Sequence, residues 1–270
     1  MATLNKLAPA EPPSVLAEVT DIAKRKILAV QQYAQLTARS LWNLLTPPRY
    51  TADMLDQMDL IGVGSLPIVL LTGFFIGAVM VLQTSQQFER FGQTALTGDV
   101  VAIALVRELG PTLTALLVAG RNASGIASEL GSMVVTEQVD AMRAMGTDPI
   151  RKLVTPRVVA TILTVPLLTA LADLVGLVGG FMVSFLELRL NPVQYWTRAV
   201  DALDFGDLMQ GFTKPIVFAL IISSVGCYQG LTVRGGTQGV GRATTEAVVV
   251  SSVSVLVANF FITRFMLFIF

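Results

Sequence analysis

The sequence predicts an all-α integral membrane protein: an N-terminal amphipathic interfacial helix followed by about five transmembrane helices. Three observations carry that prediction. Hydrophobic residues make up 53% of the 270-residue chain and charged residues only 14%, where a soluble domain usually carries about 25% charged residues. The apolar residues gather in long runs. The cations fall unevenly between those runs, as they do when alternate loops face the cytoplasm.

The opening stretch, ATLNKLAPAEPPS, is polar and proline-rich with no apolar core of a signal peptide. Residues 1–13 are expected to be disordered, and the first span itself to direct insertion. From Ser14 to about Leu45, the residues Leu16, Val19, Ala23, Ile27, Val30 and Ala34 recur at spacings of three and four, a helical pattern. Lys24, Arg25, Lys26 and Arg39 give that helix a cationic side and Trp42 an interfacial ring, so it is suited to the headgroup plane or to packing on its own spans. Thr46-Pro47-Pro48 ends it, because proline cannot continue a helix. Residues 14–48 are therefore one interfacial unit and residues 49–270 one domain of spanning helices.

Five spans follow, at about 60–82, 100–120, 154–186, 215–231 and 247–270. The first is roughly 34 Å long at 1.5 Å per residue, enough for a ~30 Å hydrocarbon core. It holds Pro67 and the pair Gly73 and Gly77, whose small-xxx-small spacing admits a close neighbouring helix. Gln83–Asp99 reads as a polar loop containing Phe88 and Phe91. The third span carries Asp173 in its middle, with Pro156 and Pro166 expected to bend it. Glu187–Lys214 reads as a second loop, with Tyr195, Trp196 and the acids Asp201, Asp204 and Asp207. Gly239 and Gly241 suggest a tight turn before span five, and Thr244, Thr245 and Glu246 a helix start. Arg264 lies near the end of that span, where it can snorkel. Thirteen cations lie before span one, between spans two and three and between spans four and five, against four in the alternate loops. That asymmetry puts the N-terminus in the cytoplasm and the C-terminus outside.

The stretch from Leu105 to Pro156 concentrates the candidate functional residues. Arg107 and Glu108 sit inside an apolar span, where each costs at least ~2.5 kcal/mol on insertion scales. Neighbouring helix residues point about 100° apart, so they cannot pair well with each other. Each needs a partner on another helix, another subunit, water or a ligand headgroup. Gly110-Pro111 is expected to bend the helix. Gly120, Ser124, Ser128 and Gly131-Ser132 fall on or near one face and read as close helix packing. Arg121 and Glu129 lie within that run and are candidates for pairing across helices. Thr136–Pro149 reads as a loop helix capped by Thr136 and stopped by Gly146 and Pro149, with a short apolar edge of Val139, Met142 and Met145. It is a docking knob for another protein or a helix lying on the membrane. Asp173 is read as an interhelical hydrogen-bonding group and Cys227 as packing.

Absences narrow the function. The chain has no His and one Cys, so neither an internal disulfide nor a thiolate metal cluster is available. Net charge is zero, so no basic face points to nucleic acid. No Gly-Lys dipeptide occurs, hence no P-loop for ATP. An intramembrane enzyme using Glu108 and Asp173 lacks a nucleophile motif. The chain is expected not to be an enzyme and to need no cofactor or metal.

The segment LVRELGPTLTALLVAGRNASGIASELGSMVVTEQVDAMRAMGTDPIRKLVTPRVVA resembles the long motif of MlaE/YrbE permeases, the membrane subunits of ABC transporters associated with MCE proteins. GVGRATTEAVVVSS resembles the second motif of that family. The likeness covers roughly residues 73–252 and hardly touches the first 45. It implies a homodimer in the bacterial inner membrane, with the C-terminus periplasmic. It implies a separate cytoplasmic ATPase subunit engaged by a coupling helix, through Glu137, Asp140, Met142, Met145, Gly146 and Asp148. It also implies a periplasmic MCE-domain ring, in many members a STAS-domain subunit, and phospholipid moved between inner and outer membranes. Arg107 and Glu108 then fall in or beside a lipid cavity, with Met80, Phe88 and Phe91 as its apolar wall. The competing readings keep the permease with a sterol or other hydrophobic cargo, or make the chain a non-transporting scaffold for the ATPase and ring.

Overall fold

The computed structural model describes residues 15–48, 50–187 and 191–269. The segment expected to be disordered, 1–13, lies outside them. The described residues form helices and no strand. In chain order these are α1 (Val15–Leu45), α2 (Thr51–Glu89), α3 (Thr97–Val135), α4 (Gln138–Ala144), α5 (Ile150–Leu186), α6 (Pro192–Asp201), α7 (Phe205–Leu231) and α8 (Gly236–Ile269). Of these, α2, α3, α5, α7 and α8 are long and apolar enough to cross a membrane.

The helices outrun the spans read from hydropathy. At 39 residues each, α2 and α3 reach about 58 Å, well beyond a ~30 Å hydrocarbon core. Polarity marks where the hydrocarbon ends, whereas backbone bonding continues into water. So Gln83–Glu89 belongs to α2 rather than to a loop, and Gly120–Ser132 to α3. Likewise Glu187–Lys214 is not a plain loop, since it contains α6 and the first ten residues of α7. The turn before α8 falls at Gly235 and Gly236, with φ of 91° and 66°, so Gly239–Glu246 lies inside the helix instead of preceding it.

Glycine sets the closest packing, between α2 and α5. A Cβ on Gly73 would meet the backbone of Ala172, one on Gly77 the Gly176 carbonyl, and one on Gly179 the Phe74 carbonyl. Lipid tails are as apolar as leucine, so helix association in a bilayer rests on such van der Waals fit. Around this seam, Val69, Val118, Val165, Phe218, Ile222 and Val255 bring α2, α3, α5, α7 and α8 into one core. The small residues of α3 behave differently from expectation. Gly120 and Gly125 have nothing within 4 Å of an added Cβ, and Ser128 is exposed; the close contacts are made by Gly131, against Val233 and Val240, and by Ala123 and Ala127, against Gly226 and Gly230 of α7.

In α3 and α5 a widened turn precedes each of two prolines. Leu105–Leu109 and Ile150–Val154 are π-type turns, each followed two residues later by a proline, Pro111 and Pro156. The missing proline N–H would break the i→i−4 ladder, and the wider turn absorbs it. α5 continues unbroken through Pro166.

Helix α1 packs through a narrow stripe. Tyr33 donates to or accepts from Ser224 Oγ at 2.7 Å and meets Tyr228 edge-on, while Leu36 joins the cluster of Ile126, Leu130, Val154 and Cys227. Cys227 is thus a packing residue, as the sequence indicated. Ile27, Val30, Leu41 and Trp42 stay exposed on α1. An uncovered apolar edge on a helix that also docks to the bundle fits both uses expected of it.

Candidate functional site

The charged pair read from the sequence, Arg107 and Glu108, lies about 15 Å along α3 from its start, in the π-type turn before Gly110-Pro111. The two side chains diverge, as expected. Arg107 Nε pairs with Asp207 Oδ1 at 3.2 Å, and Glu108 Oε1 with Lys214 Nζ at 2.7 Å, both partners on α7. Glu108 also accepts from Thr263 Oγ1 at 3.1 Å and, through Oε2, from Asn259 Nδ2 at 3.2 Å, both on α8. One carboxylate therefore ties three helices together.

The sequence explains each part. Pro111 has no N–H to give to the Arg107 carbonyl four residues back; that carbonyl instead accepts from Lys214 Nζ at 2.8 Å. The Lys214 side chain is 0% exposed and is held by this oxygen and by Glu108. Asp207 sits at the third position of α7, where its Oδ2 accepts from the Asp204 N–H in a reciprocal capping box and leaves Oδ1 for Arg107. Glu108 remains 40% exposed and Arg107 31%. The network is paired within the chain yet open on one side.

Of the proposed apolar wall, Met80 is half-buried beside Val81, Val101, Leu105 and Tyr195. Phe88 is half-buried near the end of α2, and Phe91 is 78% exposed in the turn beyond it. The polar partners of Arg107 and Glu108 come from α7 and α8, whereas Met80 and Phe88 lie on α2 and Phe91 in the turn beyond it.

At the opposite end of the bundle α4 is short and firmly seated. Glu137 adopts φ 59° ahead of it, a left-handed conformation, and Gly146 ends it at φ 79°. The expected cap at Thr136 is not made: its Oγ1 donates back to Ser132 O at 2.8 Å, closing α3. The expected apolar edge is split. Val139 is 3% exposed and packs with Leu130 and Leu153, Met142 packs partly against the same cluster, and Met145 is 75% exposed. Glu137, Asp140, Gly146 and Asp148 are exposed. Asp140 pairs with Arg143 at 2.9 Å, and Asp148 Oδ1 accepts from the Ile150 N–H at 3.0 Å, starting α5.

The two residues that follow bind other helices. Arg151 donates to Pro47 O, Thr46 Oγ1 and Asn43 Oδ1 at 2.8, 3.1 and 3.3 Å, and Lys152 pairs with Asp53 under the Tyr50 ring. The α4–α5 junction is thereby joined to the end of α1 and the start of α2. Arg151→Ala is expected to cost about 1 kcal/mol and to act locally. Hydrogen exchange should speed up in residues 41–48 while the thermal midpoint changes little.

The family model Permease MlaE matches residues 54–265. A probable ABC transporter permease protein of Rickettsia typhi is 43% identical over 232 residues, covering 86% of this chain and 90% of the relative. A counterpart from Synechocystis is 39% identical over 231 residues, covering 86% and 88%. The chloroplast protein TRIGALACTOSYLDIACYLGLYCEROL 1 of Arabidopsis thaliana is 39% identical over 211 residues, 78% of this chain and 60% of that one. The chain belongs to the MlaE permease family.

It is thus a multi-pass ABC transporter permease, and the name implies an ATPase partner. Two further expectations resolve in this permease. Glu129 does pair across helices, with Arg157 at 2.7 Å, but Arg121 takes Leu60 O and Ser65 Oγ instead of a carboxylate. Asp173 is buried against Gly110, and its Oδ1 makes no hydrogen bond among the described residues, where an interhelical bond was expected. Reading residue by residue missed Lys214, Asp207, Asn259 and Thr263. The signal was present: Asp207, Gln210 and Lys214 recur at three and four residues, a single face of a helix that the loop reading had cut short.

Proposed function

We propose that this permease moves phospholipid between the inner and outer membranes of a bacterium, as a homodimer in the inner membrane driven by a separate ATPase. The observation that carries this reading is the pairing of an exposed α4, anchored through the buried Val139, at one end with a half-open charged network inside the bundle. The α4 end faces the cytoplasm, as the cation asymmetry indicates. There Glu137, Asp140, Met145, Gly146 and Asp148 offer the ATPase a docking surface, with Met142 supporting it from below. Val139 and the Arg151 and Lys152 contacts let a displacement of α4 reach α1, α2 and α5 together. The opposite end meets the MCE-domain ring, and a STAS-domain subunit joins the ATPase. The Arg107 and Glu108 network meets the lipid headgroup, while Met80, Phe88 and Phe91 flank acyl chains. Lipid cargo is supported by the Arabidopsis relative, whose name is that of a galactolipid.

ATP can shift such a transporter only through different affinities for its two states. Glu137→Lys reverses the charge beside α4 without touching the core. It should remove ATPase co-purification and lipid-dependent ATPase stimulation while the thermal midpoint stays near that of the parent. Stimulation that survives the change sinks the docking assignment. Reconstituted transfer of fluorescent phospholipid, compared with a fluorescent sterol, decides the cargo.

A further inference from the structure

A second polar site stands at the α4 end, apart from the Glu108 network. Two π-type turns, Asp59–Val63 of α2 and Ala119–Ala123 of α3, line one cleft of about 230 Å³. Such turns are rare and concentrate at functional sites. In α2 the Gly64 N–H bonds back to Asp59 O, and the Leu60 carbonyl accepts instead from Arg121 Nη1 at 3.1 Å. The same nitrogen reaches Ser65 Oγ at 2.9 Å and Asn122 Oδ1 at 3.4 Å. Gly64 makes the room, because a Cβ there would run into the guanidinium.

These bonds hold Arg121 by one nitrogen, and its other edge makes no hydrogen bond among the described residues. Among the described residues Arg121 has no carboxylate partner. Asn122 is 6% exposed, and its Nδ2 has no partner among the described residues. Gln57 Oε1, on the facing helix, is also buried without one. Glu129, at the rim, is neutralised by Arg157 at 2.7 Å. The cleft therefore carries one uncompensated positive charge with an orphan amide donor next to it. Buried donors are nearly always satisfied, and a planar guanidinium edge beside an amide matches the oxygens of a phosphate.

We propose that this cleft binds a phosphate group on the free edge of Arg121, with the buried Asn122 amide turning to donate from Nδ2. The exposed Leu60 at its mouth suits a phosphate that belongs to an amphiphile, a phospholipid headgroup, and a free phosphate shares the same chemistry. The site is distinct from Glu108 and does not depend on what the permease carries.

The test uses the full chain in mild detergent, with native mass spectrometry and thermal unfolding. The probes are dioleoylphosphatidylglycerol, the diacylglycerol of the same chains, and inorganic phosphate. Asn122→Asp keeps the side-chain shape, replaces the donor by an acceptor and gives Arg121 an internal carboxylate. The parent should retain phosphatidylglycerol over diacylglycerol and gain thermal stability from it. Asn122→Asp should lower that retention about tenfold, the loss of one charge-assisted hydrogen bond, with its own midpoint without lipid unchanged. Arg121→Gln gives the same loss and serves as the second variant. Inorganic phosphate that stabilises the parent but not Asn122→Asp as strongly as the lipid does keeps the anion site and makes free phosphate its ligand. Equal retention of phosphatidylglycerol by parent and both variants, with no response to phosphate, overturns the proposal.

Discussion

Glu108→Ala lowers the unfolding free energy by about 3 kcal/mol, the low end of the range for breaking a buried ion pair by removing one partner. Lys214 keeps its bond to the Arg107 carbonyl but loses its counter-charge, and its side chain has no exposed surface through which to recruit water. The low end applies because Glu108 itself is 40% exposed. The same change frees Asn259 and Thr263, so α8 loses its polar attachment to α3. Adding Lys214→Met should recover most of the loss, since an apolar side chain of similar length needs no partner. Unfolding equilibria in mixed micelles for the two single variants and the double variant measure this coupling. Additive losses would show that Glu108 and Lys214 act separately. Glu108→Gln separates stability from function: it retains an acceptor for Lys214 yet removes the charge, so lipid transfer should fall more than the thermal midpoint does.

Gly77→Leu is the second large effect, about 3 kcal/mol or more, because inserted volume forces backbone shifts in a packed interface. A Cβ at this position lands on the Gly176 carbonyl, which is backbone and cannot rotate away. The separation of α2 from α5 that follows would strip contacts along the whole seam, including those at Gly73 and Gly179. Gly120→Ala is the matched control. Nothing lies within 4 Å of a Cβ there, and alanine is favoured over glycine in a helix by up to about 1 kcal/mol. Thermal unfolding should therefore show a steep drop for the first and no drop for the second. Equal effects would mean that helix propensity, not contact, governs both.

The two glycines also show what a sequence can and cannot say about small residues. Gly73 and Gly77 and the run from Gly120 were read alike, as surfaces for close packing. Spacing reveals that a helix has a small-residue face but not which way the face is turned. In α2 that face meets α5; in α3 it points outward at Gly120 and Gly125. Charges carry the same ambiguity. Arg107 and Glu108 announced themselves because ions are costly in an apolar run. Asp207 and Lys214 stayed hidden because a hydropathy reading ends the helix where polarity begins, while the real α7 starts ten residues before Pro215, at Phe205.

By itself the sequence determined the membrane class, the number of spanning helices and the family. These follow from composition and order along the chain, which the bilayer and the backbone read locally. It also located the loop helix and its stop at Gly146, because a residue at φ 79° has few alternatives to glycine. Only the tertiary structure decided the partners: Lys214, Asn259 and Thr263 for Glu108, Arg157 for Glu129, and the turn between α1 and α2 for Arg151. Those pairs lie tens to over a hundred residues apart. Which of several charged or small residues meet across such distances is set by how the helices are rotated and stacked against one another, and no local pattern encodes that rotation.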